Sequence, residues 1–337
     1  MQSKETISVS SKIEDIDKEQ WEQLLIDSDT GSFFQTKKCY DFFSSLDCVD
    51  HFIFGVEENN DLKGVIVGYI SKENNYIKQF LSRRAIIFGG PLLAKNISTE
   101  AIQALLKICK ERLRNRSIYI EFRNFNDYSR YIDEFEIAGF SYQAYYNYHI
   151  DSCSELNNLS SSKRRQIRRS IDAGVKIKEA DSEAEIKEFY KLLSNLYKTK
   201  IRKPLFPYEF FLEFYKKNLG VFLMVLYNRE VVGGIMCPIF QKKVLYEWFI
   251  VGKDSDYEKI YPSVMATWAA IKYANDNSID RFDFMGAGKP GEEYGVREFK
   301  SKFGGILVEH GRFVAVNRPF LYRTGKFGLK IIKKLSK

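Results

Sequence analysis

One order of elements occurs twice in this 337-residue chain, and that repetition constrains its fold more than any single motif. In the first half, strand-like Phe52–Glu58 is followed by Gly64–Ser71 and Ala85–Gly90, all rich in β-branched and aromatic residues. A helix is predicted over Thr99–Arg114, where Ile102, Leu105, Leu106, Cys109 and Leu113 recur on one helical face. A strand over Ser117–Arg123, a short helix over Ser129–Ala138 and a strand over Tyr142–Ile150 complete the half. The second half runs Val221–Asn228, Glu230–Phe240 and Lys243–Val251, then a helix over Tyr261–Asn277. It continues with a strand over Arg281–Met285, a helix over Val296–Phe303 and a strand over Ile306–Val316. Both halves read β–β–β–α–β–α–β, with hairpin turns at Asn59-Asn60-Asp61 and Asn228-Arg229-Glu230. Further helices are predicted at Ser162–Ala173, Ser182–Lys200 and Tyr208–Lys217. The expected class is α/β (α+β): a duplicated unit with a mixed, largely antiparallel sheet. Its expected division is residues 1–151, residues 152–316 and a basic tail, residues 317–337.

Composition narrows the partners. The formal charge of +8 points to a polyanion: nucleic acid, a nucleotide-linked substrate or an anionic membrane. Lys163, Arg164, Arg165, Arg168 and Arg169 fall within seven residues, and Arg318–Lys337 has seven basic residues and no acid. Apolar residues mixed into that tail suggest peripheral contact with the inner face of a membrane. No apolar run approaches the roughly 18 residues of a spanning helix, and the first residues lack an apolar signal core. The five scattered cysteines form no C-x-x-C pair, so neither a disulfide framework nor a zinc site is expected. A cytoplasmic location follows as the expectation. His51, His149 and His310 lie far apart without metal-ligand spacing, and no metal is expected.

The chemistry concentrates in Arg281–Gly305, RFDFMGAGKPGEEYGVREFKSKFGG. Gly286 to Gly291 matches G-x-G-x-x-G, but Pro290 and the continuing loop GEEYG do not suit a dinucleotide fingerprint. A glycine turn at the mouth of a site, opening at Gly286, fits better. The following helix carries Arg297 and Lys300 on neighbouring turns, with Phe299 and Phe303 as a packing pair. On composition alone these are a solvated basic edge and two core rings. Asp283 alternates with Phe282 and Phe284; its plain reading is a salt-linked, half-exposed aspartate, its functional one a carboxylate that orients or deprotonates an incoming ammonium. Glu247 in VLYEWFI is the rival, since a charge in so apolar a strand must face a cleft or a partner. No G-x-S-x-G elbow or activated cysteine appears, so a covalent acyl-enzyme is not expected.

Three segments resemble the Fem-type aminoacyltransferases: SFFQTKKCYDFF at Ser32–Phe43, SSKRRQIRRSIDAG at Ser161–Gly174, and the DFMGA–REFKSKFGG block. The resemblance implies two tandem GNAT-like domains. It also implies transfer of an aminoacyl group from aminoacyl-tRNA to an amine on a peptidoglycan or other cell-envelope precursor, with no bound cofactor beyond that donor. The family's Phe-Lys falls on Phe299-Lys300, which would line the acyl-transfer site, and a lysine there would stabilise a tetrahedral oxyanion. Lys163, Arg165 and Arg168 fit the family's basic segment and suit phosphate contact. Arg202 in TKIRKPLF, with Lys37 or Lys38, would bind the precursor's diphosphate. The helices after Val175 are too short for the coiled-coil arm of several members. An acyl-CoA-dependent N-acyltransferase acting on an amino sugar or peptide is the rival reading, although GKDSDYEKIYPS before the Tyr261 helix lacks the usual pyrophosphate loop. A basic nucleic-acid-binding protein has the charge but no recognised motif.

Overall fold

The two hairpin turns close as the sequence predicts. Asn59, Asn60, Asn228 and Arg229 all take positive φ, between 49° and 69°, the conformation a two-residue turn needs to match strand twist. They join Val49–Glu58 to Asp61–Ser71 and Gly220–Tyr227 to Glu230–Phe240. The computed structural model describes residues 6–72, 83–151 and 158–325. The tail from residue 326, which holds most of the expected membrane-binding segment, lies outside the described residues, as does the start of the second expected domain at 152–157. Residues 319–325 are helical. Among the described residues, no helix is long and apolar enough to cross a membrane.

Two sheets of the same design result. The first orders its strands Ile7–Ser10, Val49–Glu58, Asp61–Ser71, Arg84–Gly89, Tyr119–Asn124, Arg312–Val316 and Ser141–Gln143. The second orders them Lys176–Glu179, Gly220–Tyr227, Glu230–Phe240, Val244–Tyr246, Arg281–Asp283, Tyr146–Asp151 and Ile306–Glu309, seen from the opposite edge. In each, the fourth and fifth strands are parallel and the other pairings on the path antiparallel. A 15-residue helix, Thr99–Leu113 or Pro262–Asp276, makes the crossover between those parallel strands.

The sixth position holds the finding that sequence reasoning missed. The first sheet takes its sixth strand, Arg312–Val316, from the end of the chain, and the second takes Tyr146–Asp151 from the end of the first half. The two halves have exchanged a strand. The chain accordingly divides into one unit of residues up to Ala144 and from His310 on, and another of Tyr145–Glu309. The expected contiguous division at residues 151 and 316 is thus replaced. Tyr142–Ile150 and Ile306–Val316, each read as one strand, are two apiece. Gly311 marks the second break at φ +64°, where a Cβ would meet the Tyr142 ring at 2.2 Å.

Each unit has its own core. In the first, Ile102, Leu105, Leu106, Cys109 and Leu113 of the crossover helix bury against Phe52, Phe54, Ile66, Ile120 and Phe122. That helix is capped by Ser98, whose side chain accepts from Ala101 N. In the second, the helix Pro262–Asp276 presents Ala266, Ala269, Ala270 and Ala274, small residues that let it lie close on Leu223, Ile235, Leu245 and Phe282. The longest described helices have 15 residues, so no coiled-coil arm is present among the described residues.

Candidate active site

The strand that the sequence reads as Lys243–Val251 breaks at Glu247-Trp248. Before the break, Val244–Tyr246 lies between Glu230–Phe240 and Arg281–Asp283; Glu247 N still donates to Asp283 O at 2.9 Å. After it, Phe249–Gly252 pairs, among the described residues, with Glu230–Phe240 alone. The parallel neighbours therefore part at Glu247, and the buried groups of the unit gather there.

Lys300 is the centre of that group. Its ammonium donates to Phe284 O at 2.7 Å and Gly286 O at 2.9 Å, and lies 2.9 Å from Glu247 Oε1. Both partners are buried, Lys300 at 8% and Glu247 at 7% exposure. A primary ammonium has three protons. All three are taken, so Lys300 offers no free proton to an oxyanion while these contacts hold, contrary to the role the sequence suggests. Glu247 Oε2, by contrast, has no hydrogen-bond partner among the described residues. Burial raises the Glu247 pKa, Lys300 only partly offsets it, and nearby Asp283 adds to the rise.

Asp283 is completely buried, not half-exposed as its alternation suggests. Its Oδ1 accepts from Asn147 Nδ2 at 2.7 Å and Met285 N at 2.6 Å, and His149 Nε2 lies 3.0 Å from Oδ2. Burial pushes its pKa up, but His149, Arg281 and Asn147 outweigh that and the net shift is down. Asn147 Oδ1 also accepts from Gly286 N at 2.7 Å. Asp283 and Asn147 thereby fix the turn Met285-Gly286, at φ +55° and +136°, whose flanking carbonyls hold Lys300. Asn147 and His149 belong to the exchanged strand, where His149 is in register with Asp283. The sequence carried one sign of them, the alternation Asn147–Tyr148–His149–Ile150 with polar residues on one face.

Among the described residues, the first unit has no such centre at the matching place. Its fourth strand ends at Gly89-Gly90, both at positive φ, and the Tyr128 hydroxyl sits 2.8 Å from Gly89 O and 2.6 Å from Pro91 O. A Cβ on Gly90 would meet the Tyr128 ring at 2.5 Å, so that ring fills the space beside the glycine. The buried carboxylate there, Glu121, is closed off by Arg123 at 2.8 Å and Arg312 at 2.7 Å. Burial would raise Glu121, but the two guanidinium groups overcome it and bring the pKa to about 2.

The remaining predicted residues divide between the units. Lys37 and Lys38 lie on the helix Lys37–Ser44 of the first unit; Lys37 pairs with Asp41 at 2.5 Å and Lys38 is exposed. The FFQT motif before them is structural: the buried Gln35 side chain donates to Phe88 O at 2.7 Å and accepts from Val67 N at 2.9 Å, bridging two strands. In the second unit Arg165 and Arg168 are exposed on the helix Ser161–Asp172, whereas Lys163 is buried at 5% exposure. Arg202 is exposed at φ +54°. Arg297 braces the glycine turn: Nε donates to Ala287 O at 2.8 Å and its NH2 group donates to Lys289 O. Phe299 is partly buried against Phe303, with ring centroids 5.2 Å apart. A cleft of about 780 Å³ opens beside this helix, lined by Tyr148, Glu292, Glu293, Arg297, Glu298 and Ser301 among others. No group of His, Cys, Asp and Glu side chains suited to a metal ion occurs among the described residues.

The N-terminus of the helix Pro262–Asp276 bears on the donor. Pro262 has no N–H, and Asp254 accepts from Ser263 N at 3.0 Å and also from the Ser263 hydroxyl. The place where a crossover helix could receive a diphosphate is filled by the chain's own carboxylate.

Comparison with known proteins agrees with this architecture. Residues 160–301 match the acetyltransferase (GNAT) domain family. The structure is similar to the crystal structure of FemX, at 13% identity and TM-score 0.68, covering 94% of this chain and 99% of that one. It is also similar to a tandem GNAT protein from the clavulanic acid biosynthesis pathway, at 8% identity and TM-score 0.59, covering 93% and 99%. A third similar structure is L-PGS from Bacillus licheniformis, at 12% identity and TM-score 0.57, covering 90% and 92%. No curated protein matches the chain in sequence.

Proposed function

We propose that this chain, whose residues 160–301 match a GNAT acetyltransferase domain and whose fold is similar to that of FemX, moves an aminoacyl group from aminoacyl-tRNA to an amine of a peptidoglycan or other cell-envelope precursor. The reading rests above all on Glu247. It is a buried carboxylate at the break between strands, with one oxygen held by Lys300 and the other without a hydrogen-bond partner among the described residues. The reaction is a single displacement. The acceptor nitrogen bonds to the ester carbonyl carbon, the bond to the tRNA ribose oxygen breaks, and the amine's proton passes through Glu247 to the leaving oxygen. A carboxylate whose burial raises its pKa is a stronger proton acceptor than one in water. Lys300 supplies the fixed charge beside it, and the glutamates lining the adjacent cleft favour an ammonium group over an anion. Arg165, Arg168 and Arg202, exposed and cationic, are the proposed contacts for substrate phosphates in this unit; Lys37 or Lys38 fills that role in the first unit.

Acyl-CoA as donor is the second reading, favoured by the GNAT match alone. Asp254 at the helix start speaks against it, since a carboxylate there repels a diphosphate. Mass spectrometry of the protein incubated with charged tRNA or with acyl-CoA, and with nucleotide-linked muropeptides or amino sugars, decides between the two. The expected result is an aminoacylated acceptor with charged tRNA. Acylation from acyl-CoA alone would overturn the proposal.

A further inference from the structure

Lys163 is a buried cation that the proposed chemistry does not use. It stands in the first turn of the helix Ser161–Asp172 at 5% exposure. Among the described residues no salt bridge or side-chain hydrogen bond of its ammonium is found. What faces it is aromatic. Nζ lies 4.2 Å from the ring centroid of Phe299 and 5.1 Å from that of Phe303. Both rings belong to the short segment that carries Lys300, and Ser160 N donates to Lys302 O of that segment at 3.0 Å. The base of the helix Ser161–Asp172 is in turn anchored, through Ser170 Oγ donating to Ile260 O at 2.7 Å.

We propose that Lys163 is a positioning residue: its cation–π hold on Phe299 and Phe303 fixes the segment 295–303 and so sets where Lys300 meets Glu247. The helix Gly295–Ser301 has only seven residues and no side-chain cap, too short to hold its own shape. It depends on what grips its rings. A methionine fills much the same space without the charge, so that substitution isolates the ring contact from the packing. The charged groups bearing on Lys163 from neighbouring elements are Lys302 and Asp254. Burial first, then Lys302, lowers the Lys163 pKa to about 8, with Asp254 opposing. The hold is therefore present below about pH 8 and fades above it, as the ammonium loses its proton.

The structural arm of the test is independent of the proposed reaction. Amide hydrogen exchange is followed in the full chain, corrected for intrinsic rates, for wild type, Lys163→Met and Lys163→Arg. At pH 7, Lys163→Met should speed exchange across 295–303 by about two- to thirtyfold, the range of a partly desolvated cation–π contact. The helix Thr99–Leu113 should be unaffected, and the melting temperature should not fall. Lys163→Arg should restore protection. In wild type, protection of 295–303 should decline as pH rises past about 8, and in Lys163→Met it should not. The kinetic arm rests on the proposed aminoacyl transfer: kcat should fall with the acceptor KM within about twofold. Wild-type exchange in 295–303 of Lys163→Met overturns the proposal, as does a loss of protection throughout the unit with a lower melting temperature. A rise in KM with unchanged kcat also overturns it, making Lys163 a substrate contact. Absence of transfer with every donor, alongside the expected exchange pattern, would sink the proposed reaction and leave the positioning role standing.

Discussion

Replacing Lys300 by Met removes the cation on which a buried carboxylate and two carbonyls converge. Removing one partner of a buried ion pair costs about 3–5 kcal/mol, because the other is left charged and uncompensated. For a domain this size, each kcal/mol corresponds to about 2–4 °C in melting temperature, so a loss on the order of 6–20 °C is expected. With Lys300 read from the sequence as facing the developing oxyanion, the same substitution would leave thermal stability nearly intact. The sign of the pH dependence follows from Glu247, whose folded-state pKa is already raised by burial and rises further without Lys300. A carboxylate of that kind binds its proton more tightly folded than unfolded, so its penalty grows as pH rises above the unfolded value and shrinks in acid. The defect should be larger at pH 8 than at pH 5. Adding Glu247→Gln should recover much of it, with a coupling of up to about 3 kcal/mol in the double-mutant cycle. Urea denaturation of the four proteins at both pH values measures this. Additivity within about 0.5 kcal/mol would refute the pairing, and a defect independent of pH would refute the assignment of the cost to Glu247. In the transfer assay, Lys300→Met should lower kcat by up to the roughly 10²–10⁴ that a positioned general base contributes, because it removes the group that holds Glu247.

Other outcomes follow from the same geometry. Glu121, shifted from 4.5 unfolded to about 2 folded, contributes about 3 kcal/mol at neutral pH that is lost as pH falls from near 4.5 towards 2; Glu121→Gln should flatten that part of an acid-unfolding curve. Asp254→Ala should destabilise by about 0.5–2 kcal/mol through loss of the helix cap, read as a urea midpoint shift. A fragment of residues 145–309 should give a cooperative thermal transition. A fragment of residues 152–316 lacks Tyr146–Asp151 and with it Asn147 and His149, and should not.

What the sequence disclosed and what it withheld have physical causes. The crossover helix Thr99–Leu113 was legible because five apolar residues fall on one face, and the hairpins because asparagine tolerates positive φ at their turns. The gathering of Asp283, Glu247 and Lys300 was legible in part, since charges inside apolar runs are costly and need partners. Their closeness was not, because it depends on which strands lie side by side. Tyr142–Ile150 has no glycine or proline to mark the point where it passes from one sheet to the other, so nothing local distinguishes one strand from two. That one ambiguity hid Asn147 and His149. Lys163 was read with its cationic neighbours as a phosphate contact because a run of basic residues does not show which of them turns inward, as this one does onto Phe299 and Phe303.

The exchanged strands also set an order of birth. Chains are made from the N-terminus, and domains usually complete themselves in that order. Here the reverse holds: everything in Tyr145–Glu309 has been synthesised before Arg312–Val316 exists to fill the gap between Tyr119–Asn124 and Ser141–Gln143. Until then the earlier unit presents two unpaired inner strand edges, Glu121 without Arg312, and an unfilled place for Phe313 against Phe135. The later-made half is the one able to finish first, and the earlier-made half must stay open, exposed to aggregation and chaperone capture, until the final strand closes it.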